Sequence, residues 1–177
     1  RSKYTVTLPC SFMLVGSMNP CPCGYYNHPT HECKCSPAQI LKYKNRISGP
    51  LLDRIDLHVS VMRPKYSELT ATIQGEPSCD IAKRVAEARA VQAERLSRWH
   101  MQSNAQMGHR QLKETCQLDA EGTEMLRVVF EKLHLSARSY DRIIKVARTI
   151  ADLAGSDQIR PEHVAEAISF RNMINGK

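Results

Sequence analysis

The spacing of apolar residues changes near residue 63, and this change divides the chain into two predicted regions. Before it, short apolar runs at 5–8, 12–18 and 56–62 alternate with turn residues, which is typical of β-strands. The run FMLVGSM at 12–18 is continuously apolar, as in a strand that is covered on both faces in a parallel sheet. We therefore expect residues 1–62 to belong to an α/β structure.

One helix is predicted inside this first region, in the segment SPAQILKYKNR at 36–46. Ser36 can accept a hydrogen bond from the first helical turn, and the fixed φ of Pro37 suits the first helical position. Residues 63–77 contain two prolines, a glycine and several hydroxyl residues, and we interpret them as a linker.

From residue 78 onward the apolar residues recur about every 3.6 positions, which predicts a helical region over 78–177. A long first helix would bury a stripe that consists of Ile81, Val85, Ala88, Val91, Leu96 and Trp99. A short helix is expected at HRQLKETC, and further helices should begin after Asp119, after Ser136 and at Pro161. Gly155 should end the helix that Ser136 starts. The predicted fold class is thus α/β followed by all-α, with domains at 1–62 and 78–177.

Four of the seven cysteines lie in one short loop, NPCPCGYYNHPTHECKC at 19–35. They form two C-x-C pairs, and four thiolates brought together suit a tetrahedral zinc ion whose closed shell is structural rather than catalytic. The candidate ligands are Cys21, Cys23, Cys33 and Cys35. Because C-x-x-C is the commoner spacing, free or redox-active thiols and disulfides stay open as alternatives. His28 and His31, between the pairs, could replace a ligand.

The amino-acid composition limits the cellular compartment and the classes of partner that we expect. An odd number of cysteines, with three of the seven scattered singly, argues against a secreted disulfide framework and favours a reducing cytoplasm. The net charge of +7 is compatible with a polyanionic partner such as nucleic acid or nucleotide. No segment approaches the roughly 18 to 20 apolar residues that a membrane helix needs, so no membrane partner is expected.

Asn19 is the first candidate for a nucleotide contact. It follows the apolar run at 12–18 directly and precedes Pro20, which disfavours a helical conformation at Asn19. Ligands of parallel α/β sheets bind at the carboxyl ends of the strands, where an amide can orient a water or contact a phosphate oxygen. The alternative is an Asn-Pro pair that only starts a turn.

Arg54 stands in the segment SGPLLDRIDLHV, between a short turn and an apolar run. Because an unpaired guanidinium is too costly to bury, we expect Arg54 near a surface. A local ion pair with Asp53 or Asp56 is the simpler explanation of its position.

Arg138 lies in the first turn of the helix that Ser136 is expected to cap, where the helix dipole disfavours a cation. A bound anion such as a nucleotide phosphate would make a cation at this position favourable. Neutralisation by Asp141 and solvent is the alternative, and Arg142 could share either role.

Several segments together resemble the C-terminal part of a magnesium-chelatase-like AAA+ ATPase of the ComM/YifB family. They are FMLVGSMNPCPCGY, CKC, SGPLLDRIDLHV, LSARSYDRIIKVARTIADL and HVAEAISFR. The resemblance implies that Asn19 is the sensor 1 residue near the attacking water, and that Arg54 is an arginine finger for a neighbouring subunit. It also implies that Arg138 is the sensor 2 residue of a helical lid. Members of the family use ATP and Mg²⁺, form hexameric rings, and in the ComM group remodel DNA by branch migration during natural transformation.

The chain departs from the family pattern in one respect, because it contains no GxxxxGK[ST] phosphate loop and no apolar run that ends in Asp-Glu. We expect both motifs upstream, and we expect these 177 residues alone to hydrolyse no ATP. Two other functions stay open. One is a magnesium-chelatase-type motor subunit that acts on a tetrapyrrole-loading partner; the other is a non-enzymatic, zinc-containing module that binds DNA or protein.

Overall fold

The structure, a computed structural model, describes residues 6, 12–62, 64, 66, 70 and 75–171. It contains two compact units, Arg1–Ser48 and Gly49–Lys177. The predicted linker at 63–77 lies largely outside the described residues, as does the apolar run at 5–8 except for Val6. The domain limits at residues 62 and 78 therefore stay predictions.

The first unit contains the cysteine loop at 19–35 and helix α1, Pro37–Lys44. The helix starts as predicted. Ser36 Oγ accepts a hydrogen bond from the Gln39 backbone N–H at 3.3 Å, and Gln39 Oε1 accepts one from the Ser36 N–H at 2.8 Å. This reciprocal capping box satisfies two backbone donors that the helix itself cannot pair.

The apolar runs at 12–18 and 56–62 are not strands, contrary to the prediction. A strand is stable only when a neighbouring strand pairs with its N–H and C=O groups, and no strand is formed elsewhere in the described part of the chain. The side chains of Phe12, Met13 and Val15 are correspondingly exposed. Within the described residues, the helical part of the predicted fold class is confirmed and a parallel sheet is not seen.

The second unit is a bundle of helices. Their bounds are α2, Gly49–Leu52; α3, Ser78–Leu96; α4, His109–Thr115; α5, Ala120–Lys132; α6, Ala137–Leu153; and α7, Pro161–Ser169. Short 3₁₀ turns lie at Ser97–Trp99 and Asn104–Gln106. Helix α6 is central, packing against α3, α4 and α7, and the core includes Leu96, Leu126, Ile143, Ala147 and Val164. None of the helices in the described ranges combines the length and apolar character that crossing a membrane requires.

The helix boundaries in this unit follow local sequence signals. Asp119 accepts a hydrogen bond from the Gly122 N–H at 2.7 Å and so caps α5. Gly122 also leaves room for this cap, because a Cβ at that position would lie only 3.1 Å from Asp119 Oδ1. Gly155 has a φ of 65°, the left-handed conformation that glycine adopts freely, and it follows the end of α6 as predicted.

The predicted apolar stripe on α3 is buried only toward its C-terminal end. Ala88 and Leu96 are buried, whereas Ile81, Val85 and Val91 keep between 42% and 47% of their surface exposed. The 3.6-residue pattern thus predicts the helix correctly, but the packing partner, α6, covers only part of its apolar face.

A buried polar network holds α3 against α6. Asp152, on α6, accepts hydrogen bonds from Arg95 at 2.7 and 2.8 Å, from Arg148 at 3.0 Å and from Asn104 at 2.8 Å. The Asp152 carboxylate is fully inaccessible to solvent. Because several donors satisfy this charge, its burial is tolerated.

Candidate functional site

Arg54 lies in a tight turn that follows α2. Its side chain is exposed, and Nη1 donates a hydrogen bond to the Pro50 carbonyl at 2.8 Å. No carboxylate in the described part of the chain forms an ion pair with it. The local ion pair that would have explained Arg54 is therefore not formed with Asp53 or Asp56.

The two aspartates that flank Arg54 bind helix α6 instead. Asp53 accepts hydrogen bonds from the hydroxyls of Ser136 and Ser139, each at 3.0 Å. Asp56 forms an ion pair with Arg142, one turn further along α6. The turn that carries Arg54 is thus joined to the first two turns of α6.

The end of α7 holds the same turn from another side. Arg171, which is only 2% exposed, donates to the backbone carbonyls of Asp53 and Ile55 and to Ser139 Oγ, the last at 2.9 Å. The His58 N–H donates to the Phe170 carbonyl at 2.9 Å. Burial, and then the charge of Arg171, lower the pKa of His58, so the imidazole is held neutral in this packed position.

Arg138 lies in the first turn of α6 and is exposed. Within the described residues its guanidinium makes no hydrogen bond or ion pair. Asp141 Oδ1 lies 3.2 Å from His109 Nδ1, and Arg142 is bound to Asp56. The predicted neutralisation of Arg138 by Asp141 is therefore not seen.

A cavity of about 520 Å³ lies beside Arg138. Its walls are mainly apolar and include Leu118, Leu126, Phe130 and Tyr140, the last two in edge-to-face contact with ring centroids 6.2 Å apart. Arg127 also lines the cavity, but Glu124 and Glu131 bind its guanidinium. Among the residues that the structure describes, Arg138 thus provides a cation without a carboxylate partner next to an apolar surface.

Asn19 belongs to the first unit, at the start of the cysteine loop. Its side chain is exposed and makes no hydrogen bond within the described residues. Gly24, whose φ is 81°, turns the chain back so that the Asn19 amide nitrogen lies 4.0 Å from where a Gly24 Cβ would be. The amide is therefore available to an external partner.

The four loop cysteines converge as their spacing predicts. Their Sγ atoms all lie within 4.8 Å of one another, with Cys21, Cys23 and Cys33 separated by 3.3, 3.7 and 3.6 Å. Tetrahedral zinc with Zn–S bonds of about 2.3 Å places its sulfurs about 3.8 Å apart, so this donor set fits the ion. Without an ion the clustered thiols affect one another: hydrogen bonding, chiefly from the Tyr25 backbone, lowers the pKa of Cys23 to about 6, whereas burial and then the neighbouring thiols raise the pKa of Cys33 to about 12 and also raise that of Cys35.

The structure also bears on the disulfide and histidine-ligand alternatives for this loop. All four cysteines are free thiols, so the disulfide interpretation is not supported. His28 Nδ1 accepts hydrogen bonds from the Thr30 and His31 backbone N–H groups at 3.2 and 3.0 Å, and the His31 ring stacks on Tyr25. Neither imidazole belongs to the converging ligand group, and both histidines shape the loop instead.

The sequence patterns did not reveal the contacts that hold the Arg54 turn. Asp53, Ser139 and Arg171 come from three distant segments, and apolar periodicity says nothing about which polar side chains meet. One local signal was available. Ser139 is a small polar residue on the inner face of an amphipathic helix, where an apolar residue is expected unless a buried partner exists.

Comparison with known proteins gives two family matches. Residues 1–69 match the family described as magnesium chelatase, subunit ChlI, and residues 75–171 match its C-terminal domain family. "Competence protein ComM" of Haemophilus influenzae is 39% identical over 175 residues, which cover 98% of this chain and 33% of that protein. "Uncharacterized protein YifB" of Escherichia coli is 39% identical over 174 residues, with 97% and 33% covered. The chain spans about a third of the length of the curated relatives that it matches.

Proposed function

Because this chain belongs to the magnesium-chelatase-like ComM/YifB family, we propose that it supplies the nucleotide-sensing residues of an AAA+ ATPase. In this proposal Asn19 is sensor 1, Arg54 is the arginine finger and Arg138 is sensor 2. The phosphate loop and the Mg²⁺ carboxylates lie elsewhere in the full-length protein. Residues 78–177 act as the helical lid.

This proposal rests mainly on one observation: the carboxylates near Arg54 and Arg138 bind other side chains and not these two arginines. Arg54 and Arg138 are exposed guanidinium groups of one unit, and the carboxylates nearest to them in sequence bind other residues. A guanidinium without an internal anion is available for an external one, and a triphosphate offers several oxygens for it. At the arginine finger, such a charge stabilises the transferring phosphoryl group.

The surroundings of Arg138 favour a nucleotide as that external anion. The N–H groups at the start of a long helix and the guanidinium act on an anion together. The apolar walls of the neighbouring cavity suit the base of the same ligand. A nucleotide therefore satisfies both parts of this surface.

We assign a structural zinc ion to Cys21, Cys23, Cys33 and Cys35. Four thiolates form a closed shell, so the ion would hold the loop and would offer no open position to substrate. Since the first ligand lies two residues after Asn19, the ion would fix the backbone beside the sensor 1 amide.

One relative is a competence protein, and together with the family resemblance set out above this motivates DNA as the substrate of the intact ATPase. The net charge of +7 is consistent with a polyanionic partner. We place the function in ATP-driven remodelling of DNA by a homo-hexamer in the cytoplasm, in agreement with the free thiols of the described cysteines. A tetrapyrrole-loading motor of the magnesium-chelatase type is the alternative substrate assignment within the family.

The test uses the full-length protein with Arg54→Ala. Turnover should fall by about 10³-fold or more, because the finger acts on the transition state. ATP affinity should stay within about threefold, since the ground state gains little from it. Arg160→Ala removes another exposed arginine of the same unit and should leave both quantities unchanged. Wild-type turnover in Arg54→Ala would refute the arginine-finger role, and loss of ATP binding would assign Arg54 to ground-state binding instead.

A further inference from the structure

The two proposed nucleotide contacts of the second unit are joined by one set of polar contacts, which we call the clamp. Its members are Asp53, Asp56, Ser136, Ser139, Arg142 and Arg171. Asp53 precedes Arg54 directly, and Ser136 and Ser139 lie on either side of Arg138. A single carboxylate therefore links the backbone next to one arginine to the backbone next to the other.

The clamp is shielded from water on its inner side. Ser139 is 1% exposed and Arg171 is 2% exposed. Hydrogen bonds from hydroxyls to a carboxylate are charge-assisted, and exclusion of water strengthens them further. The link between Asp53 and α6 is thus short, bidentate and partly desolvated, which are the properties of a rigid connection.

Helix capping does not explain the role of Asp53. Ser136 Oγ itself caps α6, accepting a hydrogen bond from the Ser139 N–H at 3.2 Å. The helix therefore has its own cap, and Asp53 adds contacts to the hydroxyls of Ser136 and Ser139. By comparison, Asp119 caps α5 through the Gly122 backbone N–H, and within the described residues it forms no hydrogen bond or ion pair with Arg54 or Arg138.

Building on the proposed function, we propose that Asp53 is a positioning residue of the ATPase. It docks the Arg54 turn onto the first turn of α6, so that Arg54 and Arg138 keep one fixed separation and move as a single body. Asp56 supports the same docking through Arg142. When Arg138 binds a phosphate and α6 shifts, Arg54 then moves by the same displacement.

The test measures ATP turnover per bound nucleotide in the full-length protein carrying Asp53→Ala. Misplacement of a catalytic group by about 1 Å costs about 100-fold in rate, so turnover per bound nucleotide should fall about 10- to 100-fold while ATP affinity stays within about threefold. Asp53→Asn keeps one acceptor oxygen and should show an intermediate rate. Asp119→Ala is the matched control: it also removes a carboxylate that accepts a hydrogen bond at a helix start, and it should lower the thermal midpoint but keep the rate.

Normalising to bound nucleotide separates positioning from folding, because unfolded molecules bind none. Full turnover per bound nucleotide in Asp53→Ala, or an equal loss in Asp119→Ala, would overturn the positioning role. If Asp53→Ala does not fold, Asp53→Asn carries the test, and a wild-type rate in it would count against the proposal. Full ATP turnover in Arg54→Ala would refute the proposed function itself. If Arg54→Ala is inactive and Asp53→Ala is fully active, only the positioning role of Asp53 is refuted.

Discussion

Asp53 Oδ1 accepts a hydrogen bond from Ser139 Oγ at 3.0 Å, although the two residues are 86 positions apart in the chain. This contact assigns the segment around Arg54 to the same compact unit as the helices that follow residue 78. The compact unit that contains both residues begins at Gly49. Because Arg138 directly precedes Ser139, the contact also places the attachment point of the Arg54 turn beside the second proposed nucleotide contact.

The zinc assignment is tested by metal analysis of protein that is purified without chelator. We expect about one zinc per chain, bound by four thiolates. Cys33→Ser combined with Cys35→Ser should release it, since two of four ligands are lost. Cys79→Ser removes an exposed cysteine outside the cluster and should retain the metal. Wild-type protein that contains no metal would return the loop to the free-thiol interpretation.

Arg138→Ala should weaken ATP binding by the full-length protein about 10- to 100-fold, because it removes a charged hydrogen-bond donor to phosphate. Equilibrium titration with a fluorescent ATP analogue measures the change. Arg127→Ala is a suitable control, since Arg127 lines the same cavity but is held by Glu124 and Glu131. Equal effects of the two substitutions would show that binding responds to general positive charge and not to the free guanidinium.

Asp152→Ala should destabilise the second unit by about 3 to 5 kcal/mol, because the substitution leaves Arg95 and Arg148 without their buried carboxylate. Chemical denaturation gives the free energy of unfolding. Asp157→Ala changes an exposed aspartate near the same helix end, and we expect an effect within about 0.5 kcal/mol. A small effect of Asp152→Ala would mean that water or another group replaces the network.

His58 should make the stability of the second unit depend on pH. Burial and Arg171 lower its pKa in the folded state, whereas the unfolded chain keeps the ordinary value of about 6.5. The unfolded state therefore binds more protons below that pH. The stabilisation is complete above about pH 6.5 and is lost as the pH falls through the window between the two pKa values.

The comparison of wild type with His58→Gln isolates this contribution. Between pH 7.5 and about 5, the free energy of unfolding should decline more steeply in the wild type than in His58→Gln. His134→Asn is the control: His134 is exposed with a φ of 47°, a backbone that Asn tolerates, and the variant should keep the wild-type slope. Identical slopes in wild type and His58→Gln would contradict the predicted pKa shift.

Helix starts were predictable because their signals are local. Ser36, Asp119 and Ser136 each accept a hydrogen bond from a backbone N–H three residues later, so a short sequence window contains the whole interaction. The cysteine cluster was predictable for a related reason. Two closely spaced pairs, joined by a loop with turn residues, need only one chain reversal to converge.

Strands and polar contacts between distant segments were not predictable in the same way. A strand depends on a neighbouring strand, and the apolar runs at 12–18 and 56–62 form no strand in the described part of the chain. Asp152 meets Arg95 across 57 positions, and Asp53 meets Ser139 across 86. Such pairs follow from packing of whole helices, which a periodic pattern does not specify.

The burial of Arg171 restricts where the protein can be divided for experiments. Its guanidinium donates to carbonyls of Asp53 and Ile55, which precede the predicted linker in the chain. A truncated helical fragment starting at Ser78 would remove these acceptors and leave a desolvated cation whose remaining partner is Ser139. A soluble fragment should therefore start at or before Gly49, even though composition alone suggests cutting the chain between residues 63 and 77.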